Sequence, residues 1–150
     1  MEQNADMRRI FTSMNLIDGL YNVGAKWNGV KTNTLYLLYA VGDGEPHTQK
    51  SICDDWLIPR TTLNTIVREC KADGYVILEP VPGRKRDLYI RLTERGKAFA
   101  DEVLAPICEA EQKAIDRMTR ERGLDFIADL ERFSLYLREA FEGVAENEKP

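Results

Sequence analysis

The sequence predicts a mainly α-helical fold with one small β-hairpin. Along most of the 150 residues, apolar side chains recur at steps of three and four, which is the period of a helix packed on one face. Residues 75–92 are instead rich in strand-forming side chains, and a Pro/Gly-rich turn at residues 80–83 divides them. We therefore expect a single hairpin placed between helices.

The composition indicates one globular domain. Hydrophobic residues make up 43% of the chain and charged residues 31%, which excludes disorder, and this length can bury a core without disulfides. The longest unbroken apolar run, residues 35–41, is far shorter than the roughly 20 residues of a membrane span, and no signal-peptide core precedes it. Cys53, Cys70 and Cys108 are scattered, which favours reduced thiols and a cytoplasmic location.

Charge is distributed unevenly along the chain. The net charge is −4, yet residues 47–97 carry ten Lys or Arg against seven Asp or Glu, between two acidic flanks. Because phosphate contacts are local, a basic middle segment is compatible with nucleic-acid binding. The excess is small, so charge alone does not distinguish a nucleic-acid interface from an ordinary solvated surface.

Two helices are predicted before the basic segment. The first covers about residues 6–26 and carries an apolar stripe. The stripe consists of Ile10, Phe11, Met14, Ile17, Leu20 and Tyr21. The run at residues 35–41 fits a buried helix or strand, and Gly42 with Pro46 beyond it favours a helix that stops there. Residues 31–34 offer side chains to cap this helix.

Two short helices with an abrupt joint follow. Thr48 is expected to cap a helix over residues 49–57, and Pro59 fits the first position of the next helix. Gly74 is expected to end that helix. Its apolar face holds Leu63, Ile66, Val67 and Cys70, and its polar face holds Arg60, Thr61, Asn64, Thr65 and Arg68. This pattern is typical of a helix-turn-helix.

The hairpin is expected to pair residues 75–79 with residues 87–92. Arg84, Lys85 and Arg86 then lie at its tip. Three adjacent cations repel one another, but they become useful against a phosphate backbone. The tip therefore suggests a contact with nucleic acid.

Two long helices are predicted to complete the chain. Thr93 caps the first, and Pro106 predicts a kink within it, since the apolar period resumes beyond the proline. Gly123 breaks the pattern before a last helix with a wide apolar surface. Such a surface predicts a partner, most simply a second copy of the chain.

In this order of elements, residues 47–98 resemble the MarR family of winged-helix transcription regulators. The resemblance is carried by the motifs Thr48-Gln49, Ile58 to Val67 as recognition helix, Lys71 to Val76, the wing Arg84-Lys85-Arg86, and Leu92 to Lys97. Three positions depart from the family pattern. Pro59 replaces the usual serine, Arg84 an acidic residue, and Thr65 a common basic residue.

The resemblance implies a single MarR-like domain that forms a homodimer. About residues 33–98 would form the winged helix-turn-helix lobe, and about 4–30 and 99–145 the dimerisation helices. Recognition helices would enter major grooves of double-stranded DNA at an inverted repeat, and wings would reach minor grooves. From side-chain chemistry we expect DNA contacts from Lys50, Arg60, Thr61, Thr62, Asn64, Thr65, Arg68, Arg84, Lys85 and Arg86.

The family often binds a phenolic or other lipophilic effector between the dimerisation helices and the DNA lobe. A candidate effector pocket is formed by Phe11, Trp27, Tyr36, Tyr39 and Trp56, although plain core packing is the alternative. No catalytic pairing, phosphate loop or metal motif occurs in the sequence, so no enzyme activity, cofactor or metal is predicted.

The predicted function is a sequence-specific DNA-binding regulator, most simply a repressor released by a small ligand. One alternative is a winged-helix protein-interaction module without DNA binding, which the negative net charge and the unusual wing would fit. Another is a regulator that senses redox state through a cysteine.

Overall fold

The computed structural model describes residues 4–147, apart from the side chains of residues 85, 86 and 145–147. The described residues form six helices and a three-stranded antiparallel sheet, which confirms the mainly helical fold. The elements are α1 (Ala5–Trp27), α2 (Thr32–Val41), β1 (His47–Thr48), α3 (Gln49–Trp56), α4 (Arg60–Ala72), β2 (Val76–Val81), β3 (Arg84–Leu92), α5 (Glu94–Glu121) and α6 (Asp125–Asn147). The chain divides into two compact units, Met1–Cys108 and Glu109–Pro150.

Helix α1 begins with a side-chain cap, whereas α2 does not. The Asn4 side chain accepts hydrogen bonds from the backbone N–H groups of Asp6 and Met7. At α2 the N-cap is Lys31, and no side chain caps the helix, so the capping expected from residues 31–34 is wrong. Burial stabilises α2 instead, because Leu35 and two further leucines on this helix are fully buried.

The helix-turn-helix joint forms at the predicted place with one difference at Pro59. Thr48 and Ser51 form a capping box at the start of α3. Leu57 ends α3 in the left-handed region, at φ 50°. Pro59 is the N-cap of α4 and not its first helical residue, because its ψ of 135° is extended. The recognition helix therefore starts at Arg60 without a side-chain cap.

The end of α4 is closed by backbone hydrogen bonds around Gly74. Gly74 adopts φ 76° and donates its N–H to the Lys71 carbonyl. The Tyr75 N–H donates to the Cys70 carbonyl at 2.8 Å. These two bonds form the Schellman arrangement that a left-handed glycine permits, and they direct the chain into β2.

The sheet has the order β1-β3-β2, so β3 is central and β2 is an edge strand. The sequence did not predict β1, which is only two residues long. Strand β3 already begins at Arg84, and Val81 pairs with Arg84 across a turn at Pro82 and Gly83. The three cations therefore follow the turn on the strand rather than forming the turn itself, which corrects the predicted tip. The register shifts between Pro80 and Val81.

Two groups of buried side chains form the core of the first unit. One joins α2, α3, α4 and the sheet, and it includes Leu37, Ile52 and Leu63. The other joins α1, α2 and the first half of α5, and it includes Leu38 and Val103. Together they place α4 against the sheet with one face covered, which positions its opposite face for contact with a partner.

The start of α5 is fixed against the end of α4. The Thr93 hydroxyl donates to the Gly74 carbonyl at 2.6 Å and accepts the Gly96 N–H at 2.9 Å. A Cβ on Gly96 would overlap the Tyr75 carbonyl, so this close approach requires glycine. The Tyr75 ring stacks on Phe99 with centroids 4.1 Å apart.

The second unit exposes the predicted apolar surface. Helix α5 continues past Pro106, as the apolar period indicates, and Gly123 at φ 80° separates it from α6. No residue from 109 to 144 is buried within the described part of this unit. The exposed apolar residues of α6 are Phe126, Ile127, Leu130, Leu135, Tyr136, Phe141 and Val144. Across residues 4–147, none of the helices has the length and apolar character to cross a membrane.

Candidate nucleic-acid interface

Helix α4 has one buried face and one exposed polar face. Leu63, Val67 and Cys70 are at most 2% exposed, whereas the predicted DNA-contacting residues lie on the other side. Exposed among these are Arg60, Thr61, Asn64, Thr65 and Arg68, and Thr62 is half-buried. The structure thus brings together all six predicted contact residues of this helix.

The long polar side chains of this face are not engaged by the protein. Within residues 4–147, Arg60, Asn64 and Arg68 form no hydrogen bond or ion pair with a described side chain. The Thr65 hydroxyl donates to the Thr61 carbonyl one turn earlier, at 3.1 Å. Two guanidinium groups and one amide are therefore free to bind an external partner.

The N-terminus of α2 lies beside this polar face, which the sequence did not reveal. A shallow groove is lined by Lys31, Asn33 and Thr34 together with Thr61 and Thr65 of α4. The Lys31 ammonium donates to both carboxylate oxygens of Glu69 at 2.9 and 3.1 Å, which ties α2 to α4. The sequence indicated residues 31–34 only as helix caps, because it does not reveal that α2 packs beside α4.

Two of the predicted contact cations are paired with carboxylates. Lys50 donates to Asp54 at 2.9 Å, and this neighbour raises the pKa of Lys50. Arg84 lies 3.5 Å from Asp87. The charges of Arg84 and Asp87 also act on Lys50, so the start of α3 lies near the wing. Both pairs are largely exposed, and an exposed ion pair contributes little stability. A phosphate could therefore replace the carboxylate as the partner of each cation.

The predicted wing contacts Lys85 and Arg86 have side chains outside the described residues. Their backbone belongs to β3, directly after the turn. The structure therefore places the cationic segment on the hairpin, and it gives the geometry of the Arg84 side chain alone.

Known proteins share this arrangement of recognition helix and wing. Residues 28–87 match the model of the MarR family. Over these residues the chain is similar to the MarR family. No curated protein matches the sequence.

Solved structures extend the likeness to the helices outside residues 28–87. A MarR family regulator from Neisseria meningitidis is 23% identical over 98% of this chain and 100% of its own, with a TM-score of 0.74. A MarR family transcriptional regulator from Listeria monocytogenes, complexed with 26mer DNA, is 18% identical over 100% and 99%, with a TM-score of 0.72. NadR in complex with 4-hydroxyphenylacetate is 14% identical over 87% and 94%, also at 0.72. At these identities the likeness shows a shared fold.

The winged helix departs from the MarR family pattern at three positions, and each departure has a structural consequence. Pro59 leaves the recognition helix without a side-chain cap, so its first N–H groups are available to an anion. Arg84 finds its carboxylate partner in Asp87, three residues later along the same strand. Thr65 leaves the middle of the recognition helix uncharged between Arg60 and Arg68.

The candidate effector residues divide into two groups. Tyr36, Tyr39 and Trp56 line a cleft of about 360 Å³ together with Met14, Ile17, Asp18 and Tyr21. Phe11 and Trp27 do not line it, and Trp27 is 84% exposed. Sequence reasoning missed four lining residues, which are Met14, Ile17, Asp18 and Tyr21. The available signal was an acidic residue within the apolar stripe of α1.

A hydrogen bond at this cleft orients the Tyr36 hydroxyl. Its hydroxyl donates to an oxygen of Asp18 at 2.5 Å. Burial first, and then the hydrogen bond and negative charge of Asp18, raise the pKa of Tyr36 to about 12. The raised pKa means that the phenol keeps its proton even in moderately alkaline solution, and that proton is directed at the carboxylate.

The three cysteines differ in exposure. Cys70 is buried on the apolar face of α4, and burial raises the pKa of its thiol to about 11. A reactive thiol needs the opposite shift, because the thiolate is the reacting form. Cys53 is half-buried and Cys108 exposed. The geometry at Cys70 favours a packing role over redox sensing.

Proposed function

We propose that this chain is a homodimeric transcription regulator that binds an inverted repeat in double-stranded DNA. The observation that carries the proposal is the exposed face of α4, where Arg60, Asn64 and Arg68 are unengaged. A solvated helix face would also be polar, but this chain adds a hairpin whose sequence carries three adjacent cations. The Listeria monocytogenes relative, which was crystallised with DNA, lends support.

Side-chain chemistry assigns a role to each group. Asn64 would bond adenine through two hydrogen bonds, and Arg60 and Arg68 would bind guanine edges or phosphates. The threonines would contact phosphate or thymine methyl groups. Arg84, Lys85 and Arg86 would reach the backbone or minor groove, with Lys50 on a neighbouring phosphate. Two such lobes read half-sites about 34–36 Å apart, which is one turn of DNA.

Selection of bound sequences from a random duplex library, followed by salt titration, tests the proposal. We expect an inverted repeat, and each neutralised phosphate should contribute about 0.9 to the slope of log affinity against log salt. Arg86→Ala should weaken binding to all sequences and reduce the slope by about one, whereas Asn64→Ala should relax preference at one base position. Arg120→Ala, at an exposed arginine of α5, is the matched control.

Two outcomes would overturn the proposal. If no specific duplex emerged from the selection, a winged-helix module that binds another protein would become the better description. If Arg86→Ala behaved like Arg120→Ala, the wing would have no role in DNA binding even if the chain bound DNA.

Dimerisation is tested separately by light scattering. The exposed apolar residues of α6 support a second copy as partner, since an exposed apolar surface of this width is unusual on a monomer. We expect about twice 17.2 kDa at micromolar protein concentration. A monomer at that concentration would exclude the two-half-site geometry.

We also propose that a small lipophilic or phenolic effector binds the aromatic cleft and controls DNA binding. Trp56 lines the cleft and is the last residue of α3, directly before the joint at Leu57. A ligand against Trp56 would therefore bear on the joint that orients the recognition helix. NadR, a relative of the same fold, was crystallised with 4-hydroxyphenylacetate.

A further inference from the structure

Four aromatic side chains in the cleft form a closed ring of contacts. Tyr21 lies with its ring centroid 6.4 Å from those of both Tyr36 and Tyr39. Trp56 closes the ring, at 6.3 Å from Tyr36 and 5.7 Å from Tyr39. Each residue thus touches two others, and the four come from α1, α2 and α3.

The rings are inclined to one another rather than stacked. Their interplanar angles run from 44° to 88°, so the faces do not cover each other as they would in a parallel stack. A group at the centre of such a ring would lie within the ~6 Å of several ring centroids at which a cation is attracted by the aromatic quadrupole. We call this group of four rings the aromatic cage.

A carboxylate is fixed at the edge of the cage. One Asp18 oxygen accepts the Tyr36 hydroxyl, and the other accepts the Asn22 amide at 3.2 Å. Asn22 is itself held by the Thr32 hydroxyl at 2.7 Å. Asp18 is therefore oriented by a network that joins α1 to α2 rather than being a loose surface acid.

The charge of the cleft is negative. Among the described residues that line it, Asp18 is the one charged side chain, and no lysine or arginine lines the cleft. An anionic ligand would meet this carboxylate without a cation to neutralise it, which costs binding free energy. A cation would gain both the carboxylate and the aromatic faces.

We propose that the effector of this cleft is a lipophilic organic cation of the quaternary or methylated ammonium class, held by the four rings and Asp18. The inference rests on the proposed effector site and specifies its chemistry. It distinguishes this chain from a receptor for phenolic acids such as 4-hydroxyphenylacetate.

Binding of three probes of similar size tests the inference. Benzyltrimethylammonium is the cation, 2-methyl-1-phenylpropan-2-ol is an uncharged alcohol of nearly the same shape, and 4-hydroxyphenylacetate is the anion. Fluorescence of Trp56 in the full-length Trp27→Phe variant reports occupancy, because Trp27 and Trp56 are the chain's two tryptophans. We expect the cation to bind about 10-fold tighter than the alcohol, and the anion weakest.

Asp18→Asn keeps the shape of the side chain and removes its charge. It should abolish most of the preference for the cation over the alcohol, while Asp101→Asn, at an exposed carboxylate of α5, should leave it unchanged. Trp56→Leu, followed by calorimetry, should weaken cation binding by about 10-fold or more. A thermal melt of each variant checks that it folds.

The inference is overturned if 4-hydroxyphenylacetate binds more tightly than the cation, or if Asp18→Asn retains the full preference. It is also overturned if no probe binds while the same protein still binds its selected duplex. That last result would leave DNA binding intact, so failure of the cage and failure of the DNA-binding proposal are distinguishable.

Discussion

Helices α4 and α6 are both amphipathic, but the apolar face of α4 is buried and that of α6 is exposed. On α4, Leu63 is fully buried and Val67 is 2% exposed. On α6, Leu130 is 49% exposed and Phe141 is 68% exposed. The winged helix therefore has its own core, whereas the apolar side chains of α6 are exposed. An apolar stripe in a sequence identifies a helix face that can be buried. It does not specify whether the same chain or another molecule covers that face.

A pair of matched leucine substitutions should give the largest contrast between a buried apolar side chain of the winged helix and an exposed one outside it. Leu63→Ala removes a fully buried side chain of the winged helix and should lower the free energy of unfolding by about 2–5 kcal/mol. Leu16→Ala, on α1 at 65% exposure and outside its apolar stripe, should change it by less than about 1 kcal/mol. Urea denaturation at fixed protein concentration measures both. Equal losses would contradict the distinction.

Two glycine-to-alanine substitutions give the next largest contrast. Gly96→Ala places a Cβ against the Tyr75 carbonyl and should destabilise the protein by about 1–3 kcal/mol or more. Gly143→Ala, on α6, meets no atom within 4 Å and should be neutral or stabilise by up to about 1 kcal/mol. The melting temperatures report both. Should Gly143→Ala destabilise the protein, this result would support the proposed dimer, with a partner chain close to α6 at that point.

Substitutions at exposed ion pairs should have the smallest effects on stability, and these effects should be similar in the two regions. Lys113 lowers the pKa of Glu109 on α5, so this pair stabilises the protein above the ordinary pKa of glutamate and ceases to do so as the pH falls through the lowered value. Lys113→Met should lower the melting temperature slightly near neutral pH and not at all in acid. Lys31→Met, which removes the exposed pair with Glu69, should also lower the melting temperature only slightly near neutral pH. A large loss in one region alone would show that charge, and not burial, distinguishes them.

The elements of the winged helix could be predicted because local signals agreed with burial. Thr48 and Gly74 marked helix ends by their own chemistry, and both do so in the structure. Leu63 and Cys70 followed the period of a helix that packs on one side, and both are buried. Where local chemistry and tertiary packing agree, a single sequence suffices to place an element.

The parts that could not be predicted depend on contacts between distant segments. Strand β1 has two residues and exists because it pairs with β3, for example His47 with Ile90. Asp18 entered the aromatic cleft because α1 packs beside α2, a contact that periodicity does not specify. The extended ψ of Pro59 illustrates a further limit, since a proline fits either side of a helix start.

The sheet of the winged helix also has consequences for solubility. One edge is β1, which is two residues long, and the other is β2, where Pro80 supplies no N–H and the register shifts beside it. On the β2 side, a misfolded neighbour therefore finds no long uninterrupted row of backbone donors and acceptors to extend. This edge of the hairpin is thereby poorly suited to seed intermolecular β-aggregation.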